Sequence, residues 1–326
     1  MNKNLYNTQS KKELMIKLAS EKFQRNTYSF YKYIEIKNIE QFRDILYIKF
    51  DKLNILGRIY IANEGINAQI SIPVHNLSKF QSMITQIELL QNTQLKKAIE
   101  EGVAFYKLII KTRNEIVAYG LPPQAYDMSK RGKHLNASQF NKALKDPNTI
   151  IVDMRNKYES EVGQFNNALL PEVETSKELL PKVTKMLEKN KEKQILLYCT
   201  GGIRCEKASA HLIKIGFKNV NQLKGGIVQY AHEVSEKKIK SEFIGKNFVF
   251  DARLGERITK DVISNCHTCN NPADEHTDCK NQICHKLFIQ CASCSLKLNG
   301  CCSQKCKKIT ALPASEQYKM RKKSKR

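Results

Sequence analysis

The chain has 326 residues, of which 41% are hydrophobic and 27% are charged, so it is long enough for two or three globular domains with separate cores. The first twenty residues are polar and lysine-rich, and no run approaches the ~18 apolar residues of a membrane span, so we expect a cytoplasmic protein without signal peptide or membrane contact. The formal net charge of +23 is spread over every third of the chain. Such a charge attracts polyanions such as RNA or DNA, and the alternative is a merely lysine-rich surface.

The first domain is predicted over residues 27–120, after an N-terminal extension of residues 1–26. Aromatic and β-branched runs predict its strands, and apolar residues at helical spacing predict its helices. In chain order, the predicted elements are a strand at 28–36, a helix at 39–53, strands at 57–62 and 66–72, a helix at 77–90 and a strand at 104–110. The order β-α-β-β-α-β is that of the ferredoxin-like α+β unit, which serves many unrelated functions.

Leu121, Pro122 and Pro123 open a predicted linker that covers residues 121–136. Over the second predicted domain, residues 137–240, short buried strands alternate with helices, which indicates a doubly wound parallel sheet covered on both faces. The strands are predicted at 150–152, 168–170, 195–198 and 220–223, and the helices at 137–145, 176–189 and 205–215. Cys199 then lies at the carboxyl end of a central strand, where such sheets bind ligands.

Cys199 begins a loop, Cys199-Thr200-Gly201-Gly202-Ile203-Arg204, between an apolar strand and a helical pattern. A cysteine at a helix N-terminus meets unpaired N–H groups and the positive end of the helix dipole, which favour the charged sulfur. The two glycines let several N–H groups converge, and Arg204 adds a fixed positive charge. We therefore predict an ionised, reachable thiolate at Cys199, with a buried inert cysteine as the alternative. Cys205 either resolves an oxidised sulfur or, as we favour, only packs in the helix.

A third segment, residues 241–310, holds nine of the eleven cysteines, and a dense cluster without a secretory signal favours metal ligands over disulfides. Eight of them have the spacing of two tetrahedral thiolate sites for structural zinc: Cys266, Cys269, Cys279, Cys284, Cys291, Cys294, Cys301 and Cys306. Cys302 is left over, and His267, His276 or His285 can substitute. An iron–sulfur cluster and unligated thiols or disulfides are the alternatives. Residues 311–326 are predicted to be a basic, disordered tail.

Several motifs resemble those of the rhodanese domain, and they occur in the same order: residues 151–159, residues 163–168 with Pro171, the loop 199–204 and residues 223–227. The resemblance covers residues 137–238. It implies that Cys199 carries a persulfide in sulfur-transferring members and that the backbone N–H groups of residues 200–204 hold the charged sulfur. Asp153 and Arg155 match the strand-end pair of the family, for which we expect a supporting role. Related phosphatase-like loops are one residue longer, which disfavours a phosphatase.

Flanking motifs extend the resemblance to about residues 27–310: Ala62 to Ala68 in the first domain, Phe250 to Arg253, and the cysteine-rich segment. Together they resemble the oxygen-dependent tRNA uridine(34) hydroxylase family. The resemblance implies conversion of the wobble uridine of tRNA to 5-hydroxyuridine with molecular oxygen, tRNA as the partner and no obligate protein partner. A rhodanese sulfurtransferase and a zinc-dependent RNA-binding module with an inactive rhodanese scaffold are the competing hypotheses.

Overall fold

The computed structural model describes residues 5–324; the remaining residues of the predicted N-terminal extension and basic tail lie outside this range. Within it the chain forms two compact units. Unit 1 comprises the chain up to Asn156, together with Asn167–Lys240 and Asp251–Arg253. Unit 2 comprises Lys157–Asn166, Ser241–Phe250 and the chain from Leu254 onward. Both units are therefore built from separated stretches of sequence.

The first part of unit 1 is an α+β domain with one five-stranded sheet. Its elements are α1 (Lys11–Ala19), β1 (Arg25–Tyr33), α2 (Ile39–Lys52), β2 (Leu56–Ala62), β3 (Gly65–Pro73), α3 (Leu77–Gln86), β4 (Lys96–Lys97) and β5 (Leu108–Thr112). The strand order is β4-β1-β3-β2-β5. β3 pairs antiparallel with both β1 and β2, which confirms the predicted ferredoxin-like arrangement.

The predicted last strand, residues 104–110, differs most from the observed elements of this domain, and the first strand lies three residues earlier than predicted. The short strand β4 lies antiparallel to β1 at one edge of the sheet. β5 begins later than predicted and pairs parallel with β2 at the opposite edge. A two-residue edge strand has no periodicity of its own, so the sequence pattern did not reveal it.

Alternating burial fixes the register of this sheet. Ile66, Ala68, Ile70 and Ile72 of β3 point to one face and are completely buried, and they pack against the apolar face of α2 and α3. Gly65 starts the strand with φ +146°, and a Cβ there would lie 2.1 Å from the carbonyl oxygen of Lys32. The turn therefore accepts only glycine.

The chain then forms a parallel sheet, with two elements that belong to unit 2. The elements are β6 (Lys133–Leu135), α4 (Ala137–Ala143), β7 (Thr149–Asp153), α5 (Lys157–Ser160), β8 (Gly163–Phe165), α6 (Ser176–Leu187), β9 (Gln194–Tyr198), α7 (Ile203–Lys214), β10 (Asn219–Leu223) and α8 (Gly226–Lys237). The sheet order is β6-β10-β9-β7, with every pair parallel, and α5 and β8 lie in unit 2. The predicted parallel sheet is confirmed.

Two details of this sheet differ from the sequence prediction. Residues 133–135, expected to be linker, form the edge strand β6 beside β10. Residues 168–170, expected to be a strand, contribute only a single bridge between Leu169 and Val152. Both segments have only three residues, which is too short for hydrophobic periodicity to distinguish a strand from a loop.

Lys207 of α7 links the two parts of unit 1 through a buried ion-pair cluster. Its side chain is completely buried, and its Nζ lies 2.8 Å from Glu64 and 2.9 Å from Glu115. The ammonium also lies 5.0 Å from the centre of the Tyr126 ring. Because one cation neutralises two carboxylates here, its removal leaves two negative charges together in a mostly buried position.

We predict that Lys207→Met lowers the free energy of unfolding by about 2–3 kcal/mol, somewhat less than the ~3–5 kcal/mol of a fully buried broken pair, because both carboxylates are about one-fifth exposed. Denaturant unfolding of purified protein measures the difference. Lys214→Met, at an exposed position of the same helix, is the matched control and should change stability by less than about 0.5 kcal/mol. Equal effects of the two substitutions would contradict the prediction.

Unit 2 contains two small sheets and three helices besides α5 and β8. The further elements are β11 (Phe243–Asn247), β12 (Glu256–Arg257), β13 (His276–Asp278), β14 (Leu287–Ile289), α9 (Ala292–Leu298), α10 (Gln304–Thr310) and α11 (Ala314–Ser324). β8 and β12 flank β11, and β13 forms an antiparallel hairpin with β14. Residues 314–324, within the predicted basic tail, form helix α11. Among the described residues, no helix has the length and hydropathy needed to cross a membrane.

Candidate active site

The predicted thiolate loop joins the end of β9 to the start of α7. Gly202 caps the helix with φ +95°, and its N–H donates a hydrogen bond of 3.1 Å to Cys199 Sγ. A left-handed residue at this point turns the N–H groups of the first helical turn toward the sulfur. Gly201 has no positive φ, and a Cβ on it would meet nothing within 4 Å. Of the two predicted glycines, the local geometry therefore requires only Gly202.

Gly226, at the start of α8, holds the other side of this loop. Its φ is +70°, and a Cβ there would lie 2.6 Å from the carbonyl oxygens of both Cys199 and Thr200. The N–H groups of Ile227 and Val228 donate to these two carbonyls at 3.0 and 3.1 Å. The carbonyl oxygens of the loop are thus hydrogen-bonded to α8. Sequence analysis noted this glycine only as part of a motif.

The surroundings of Cys199 stabilise its ionised form. Burial alone raises the pKa of the thiol, but three groups of interactions outweigh it: the hydrogen bond with the Cys205 thiol, the charge of Arg204, and the backbone N–H groups of Cys205 and Arg204. The net effect lowers the pKa of Cys199 to about 6. These interactions favour the thiolate at neutral pH, whereas the exposure expected of a reachable sulfur is not found. The residue has no exposed surface, so a substrate reaches it only when neighbouring side chains move.

Cys205 packs in the apolar core, as favoured on sequence, and its thiol also interacts with the sulfur of Cys199. The residue is completely buried, and burial, followed by its hydrogen bond with Cys199, raises the pKa of its thiol well above the ordinary value. Cys205 therefore stays protonated and donates its S–H to the Cys199 thiolate. The spacing alone did not show that the first turn of α7 brings the two sulfurs together.

Asp153 and Arg155 form a completely buried, two-pronged ion pair behind the loop. The Arg155 guanidinium donates to Asp153 through Nε at 2.8 Å and Nη2 at 2.7 Å. Tyr198, the residue before Cys199, donates its hydroxyl to the same carboxylate at 2.7 Å. The pair thus connects the carboxyl ends of β7 and β9. Its supporting role in the reaction stays a prediction.

The first domain contributes side chains to the surroundings of the loop. Tyr31 donates its hydroxyl to Glu206 at 2.9 Å, and Tyr33 donates to the carbonyl oxygen of Ile203 at 3.2 Å. Glu206, just after Cys205, also lies 2.9 Å from His134 Nε2. Sequence analysis considered these tyrosines as base-stacking or half-buried strand residues, and it assigned the first domain no direct role. Their contacts with α7 were invisible to periodicity.

Lys96 is the candidate site residue that sequence reasoning missed entirely. It lies on the short edge strand β4 and is 8% exposed, with its Nζ 4.2 Å from the centre of the Tyr31 ring. Its side chain also lies against Gly225, next to the glycine that holds the loop. Burial lowers the pKa of Lys96 to about 8, although the negative charges of Cys199 and Glu206 oppose this shift. A buried ammonium therefore lies in the electric field of the thiolate.

The structure gathers the cysteines of unit 2 into two groups of four. Each group has its sulfur atoms within 4.8 Å of one another: Cys266, Cys269, Cys291 and Cys294 in one, and Cys279, Cys284, Cys302 and Cys306 in the other. Such groups are able to hold a metal ion. Seven of the eight predicted ligands are among them, and Cys301 lies outside both groups. Its sulfur lies 3.6 Å from the Thr310 hydroxyl, and Cys302 takes its predicted place.

Three family models match the chain in order. A UPF0176 acylphosphatase-like domain matches residues 25–116, a rhodanese-like domain matches residues 136–233 and a rhodanese C-terminal domain matches residues 244–307. Together with the parallel sheet and the amide-lined Cys199 loop, these matches define a rhodanese-domain protein with additional domains on both sides.

Full-length relatives narrow this class. The chain is 49% identical to the tRNA uridine(34) hydroxylase of Photorhabdus laumondii over 96% of its own length and 90% of the relative. It is 49% identical to that of Leptospira interrogans (98% and 87% covered) and 47% identical to that of Yersinia pestis (97% and 90% covered). The chain therefore belongs to the tRNA uridine(34) hydroxylase family.

We predict that iodoacetamide alkylates Cys199 with a half-maximal rate near pH 6, because the thiolate is the reactive form and the fraction ionised rises with pH through the pKa. Arg204→Gln should move this midpoint upward by roughly one unit or more, whereas Arg204→Lys should keep most of the shift. Mass spectrometry can follow the sulfur specifically, because trypsin cleaves after Arg204 and so separates Cys199 from Cys205. A midpoint near the usual cysteine value of ~8.5 in the unaltered protein would contradict the site described above.

Proposed function

We propose that this protein hydroxylates the wobble uridine of tRNA to 5-hydroxyuridine in an oxygen-dependent reaction, with Cys199 as the catalytic residue. The observation that carries the proposal is the Cys199 thiolate within its ring of N–H donors, in a chain that matches the tRNA uridine(34) hydroxylases over nearly its whole length. The enzyme is then a cytoplasmic oxidoreductase with molecular oxygen as co-substrate.

Transfer RNA is the proposed partner, and no obligate protein partner is needed. The net charge of +23 supports this assignment, because lysine and arginine side chains bind phosphates and release condensed counterions. The charge is not confined to the C-terminal end, so several parts of the surface can contact an extended polyanion. Sequence-specific recognition of a wobble base requires that the base leave its stack, since an unstacked base can enter a protein site.

The chemical role proposed for Cys199 is addition to C6 of the uracil ring. In this step a new sulfur–carbon bond forms while the C5–C6 double bond opens, and the negative charge moves from sulfur to C5 and the O4 carbonyl. The ring carbon C5 thereby becomes electron-rich and reactive toward oxygen. Lys96 carries a buried ammonium that interacts electrostatically with Cys199, and its charge stabilises an anion before and after the addition.

Sulfur transfer is the second candidate function, and the rhodanese-like domain over residues 136–233 favours it specifically. In that case Cys199 carries a persulfide and passes its outer sulfur to a small or protein acceptor. The short loop, with Gly202 N–H only 3.1 Å from Sγ, suits an anion of sulfur size. This function needs neither tRNA nor oxygen, so the two candidates are separable by experiment.

Structural zinc is also proposed for the cysteine-rich part of unit 2. We assign the zinc a structural role in the folding of unit 2 and no role in the hydroxylation. The sequence-based alternative, an RNA-binding module with an inactive rhodanese scaffold, predicts tRNA binding without any chemical change.

We predict that Cys199→Ser abolishes 5-hydroxyuridine at the wobble position, because a serine hydroxyl does not ionise at neutral pH. The measurement is mass spectrometry of tRNA nucleosides from cells that depend on this protein for the modification. Lys214→Ala, at an exposed position of α7, is the control and should leave the modification unchanged. Normal 5-hydroxyuridine in the Cys199 variant would rule out the proposed role. Thiosulfate consumption without tRNA, together with unmodified tRNA, would favour sulfur transfer instead.

We predict that Lys96→Met raises the pH midpoint of Cys199 alkylation and slows tRNA modification, because the variant removes a positive charge that faces the thiolate. If the pKa of Cys199 rises by one unit from about 6, the thiolate fraction at pH 7 falls only about twofold. A larger loss of rate therefore shows that Lys96 acts on the reaction itself. Lys96→Arg is the matched variant and should restore the midpoint. If neither the midpoint nor the rate changes in the methionine variant, Lys96 has no functional role.

A further inference from the structure

Eight of the nine cysteines of unit 2 occur as four pairs along the chain, and the two groups take alternate pairs. Cys266 and Cys269 share a group with the third pair, and Cys279 and Cys284 share the other with the fourth. We propose that unit 2 binds two zinc ions in this interleaved, cross-braced arrangement, each held by four thiolates. The proposal deepens the structural zinc assigned above by naming the number of ions, the ligands and their dependence on each other.

Distances between sulfur atoms support tetrahedral zinc. With Zn–S bonds of about 2.3 Å, the ligand sulfurs of a tetrahedral site lie about 3.8 Å apart. Cys269 and Cys291 have their sulfurs 3.7 Å apart, and Cys302 lies 3.6 Å from both Cys284 and Cys306. These separations are too long for disulfides, which require about 2.05 Å, and all these cysteines are free. A multi-iron cluster would hold its cysteines farther apart, because its own atoms lie between them.

Hydrogen bonds to the sulfurs give the second group the surroundings of a thiolate site. Asn281 Nδ2 donates to Cys306 Sγ at 3.3 Å, and the N–H of Cys302 points at Cys279 Sγ from 3.5 Å. Donors of this kind orient metal ligands and stabilise their negative charge. They also show why Cys302 serves as a ligand while Cys301 does not: Cys301 Sγ contacts the Thr310 hydroxyl and the Asn299 carbonyl oxygen instead.

The hairpin of β13 and β14 makes the two groups interdependent. The connection between its strands carries Cys279 and Cys284, and the residues just after β14 carry Cys291 and Cys294. One end of the hairpin therefore lies at the second group and the other end at the first. Each ligand set therefore encloses a segment that carries ligands of the other set, so loss of one ion should loosen the site of the other.

The part of unit 2 around the second group has little apolar surface to hold it without metal. Around the second group, the buried cluster consists of Phe288 and three cysteines, with Cys302 packed against it. Burial of so small a core releases less free energy than the loss of conformational entropy costs when the segment becomes ordered. Metal binding supplies the difference. The donor set of four thiolates selects zinc or a single iron over oxygen-preferring ions.

Elemental analysis of the full-length protein, purified without chelator, tests the ion count. We expect about two zinc ions per chain and a negligible amount of iron. Cys302→Ala should lose at least one zinc, whereas Cys301→Ala, the change at the adjacent and non-ligating cysteine, should keep both. Metal-free wild-type protein, iron in place of zinc, or zinc loss in the Cys301 variant with retention in the Cys302 variant would each overturn the proposal.

Chelation kinetics test the cross-brace itself. In Cys302→Ala, the zinc that remains in the first group should pass to a chelator at least about tenfold faster than the same zinc in wild-type protein, because the shared hairpin has lost one of its attachments. An unchanged release rate would show that the two sites are independent. Metal content and release are measured on the protein alone, so their outcome is separate from success or failure of the hydroxylase assignment, which rests on modified tRNA.

Discussion

The need to keep a negative charge on a buried sulfur governs the architecture around Cys199. Burial opposes ionisation, so the thiolate exists only because donors surround it: the Gly202 N–H at 3.1 Å, the protonated Cys205 thiol and the Arg204 charge. These donors are in place because one glycine adopts a left-handed conformation at the helix start and another lets α8 approach the loop carbonyls. The ordinary packing of a parallel sheet places this assembly at the carboxyl end of a central strand.

The first domain contributes directly to this site. Tyr31 and Tyr33 donate to groups in the first turn of α7, and Lys96 places its ammonium beside the Tyr31 ring. Lys207, two residues after Cys205 on α7, forms ion pairs with Glu64 and Glu115 from the preceding part of the chain. One helix therefore presents its N-terminal N–H groups to the sulfur and its side chains to the first domain, so both parts of unit 1 shape the reactive centre.

Sequence reasoning succeeded where all determinants are close together in the chain. Six consecutive residues identify the Cys199 loop, and strand–helix alternation identified the parallel sheet. Prediction from sequence failed where a contact joins residues far apart in the chain, or where two neighbouring residues fit the same pattern. Lys96 lies on a two-residue strand that only pairing with β1 defines, and the interaction between the sulfurs of Cys205 and Cys199 depends on the geometry of the helix start. Cys301 and Cys302 are adjacent, and their spacings to Cys306 differ by only one residue. The sequence therefore does not distinguish them, whereas the fold does.

The discontinuity of unit 2 has a consequence for modularity. β8, from the middle of the rhodanese-like segment, pairs with β11, which follows the last rhodanese helix, and the buried rings of Phe165 and Phe243 pack edge to face across that pair. A rhodanese fragment cut out at its family boundaries would leave β8 with a bare hydrogen-bonding edge and an uncovered aromatic ring. The rhodanese segment therefore does not form a separate folding unit at its family boundaries, because ten of its residues, Lys157–Asn166, belong to unit 2.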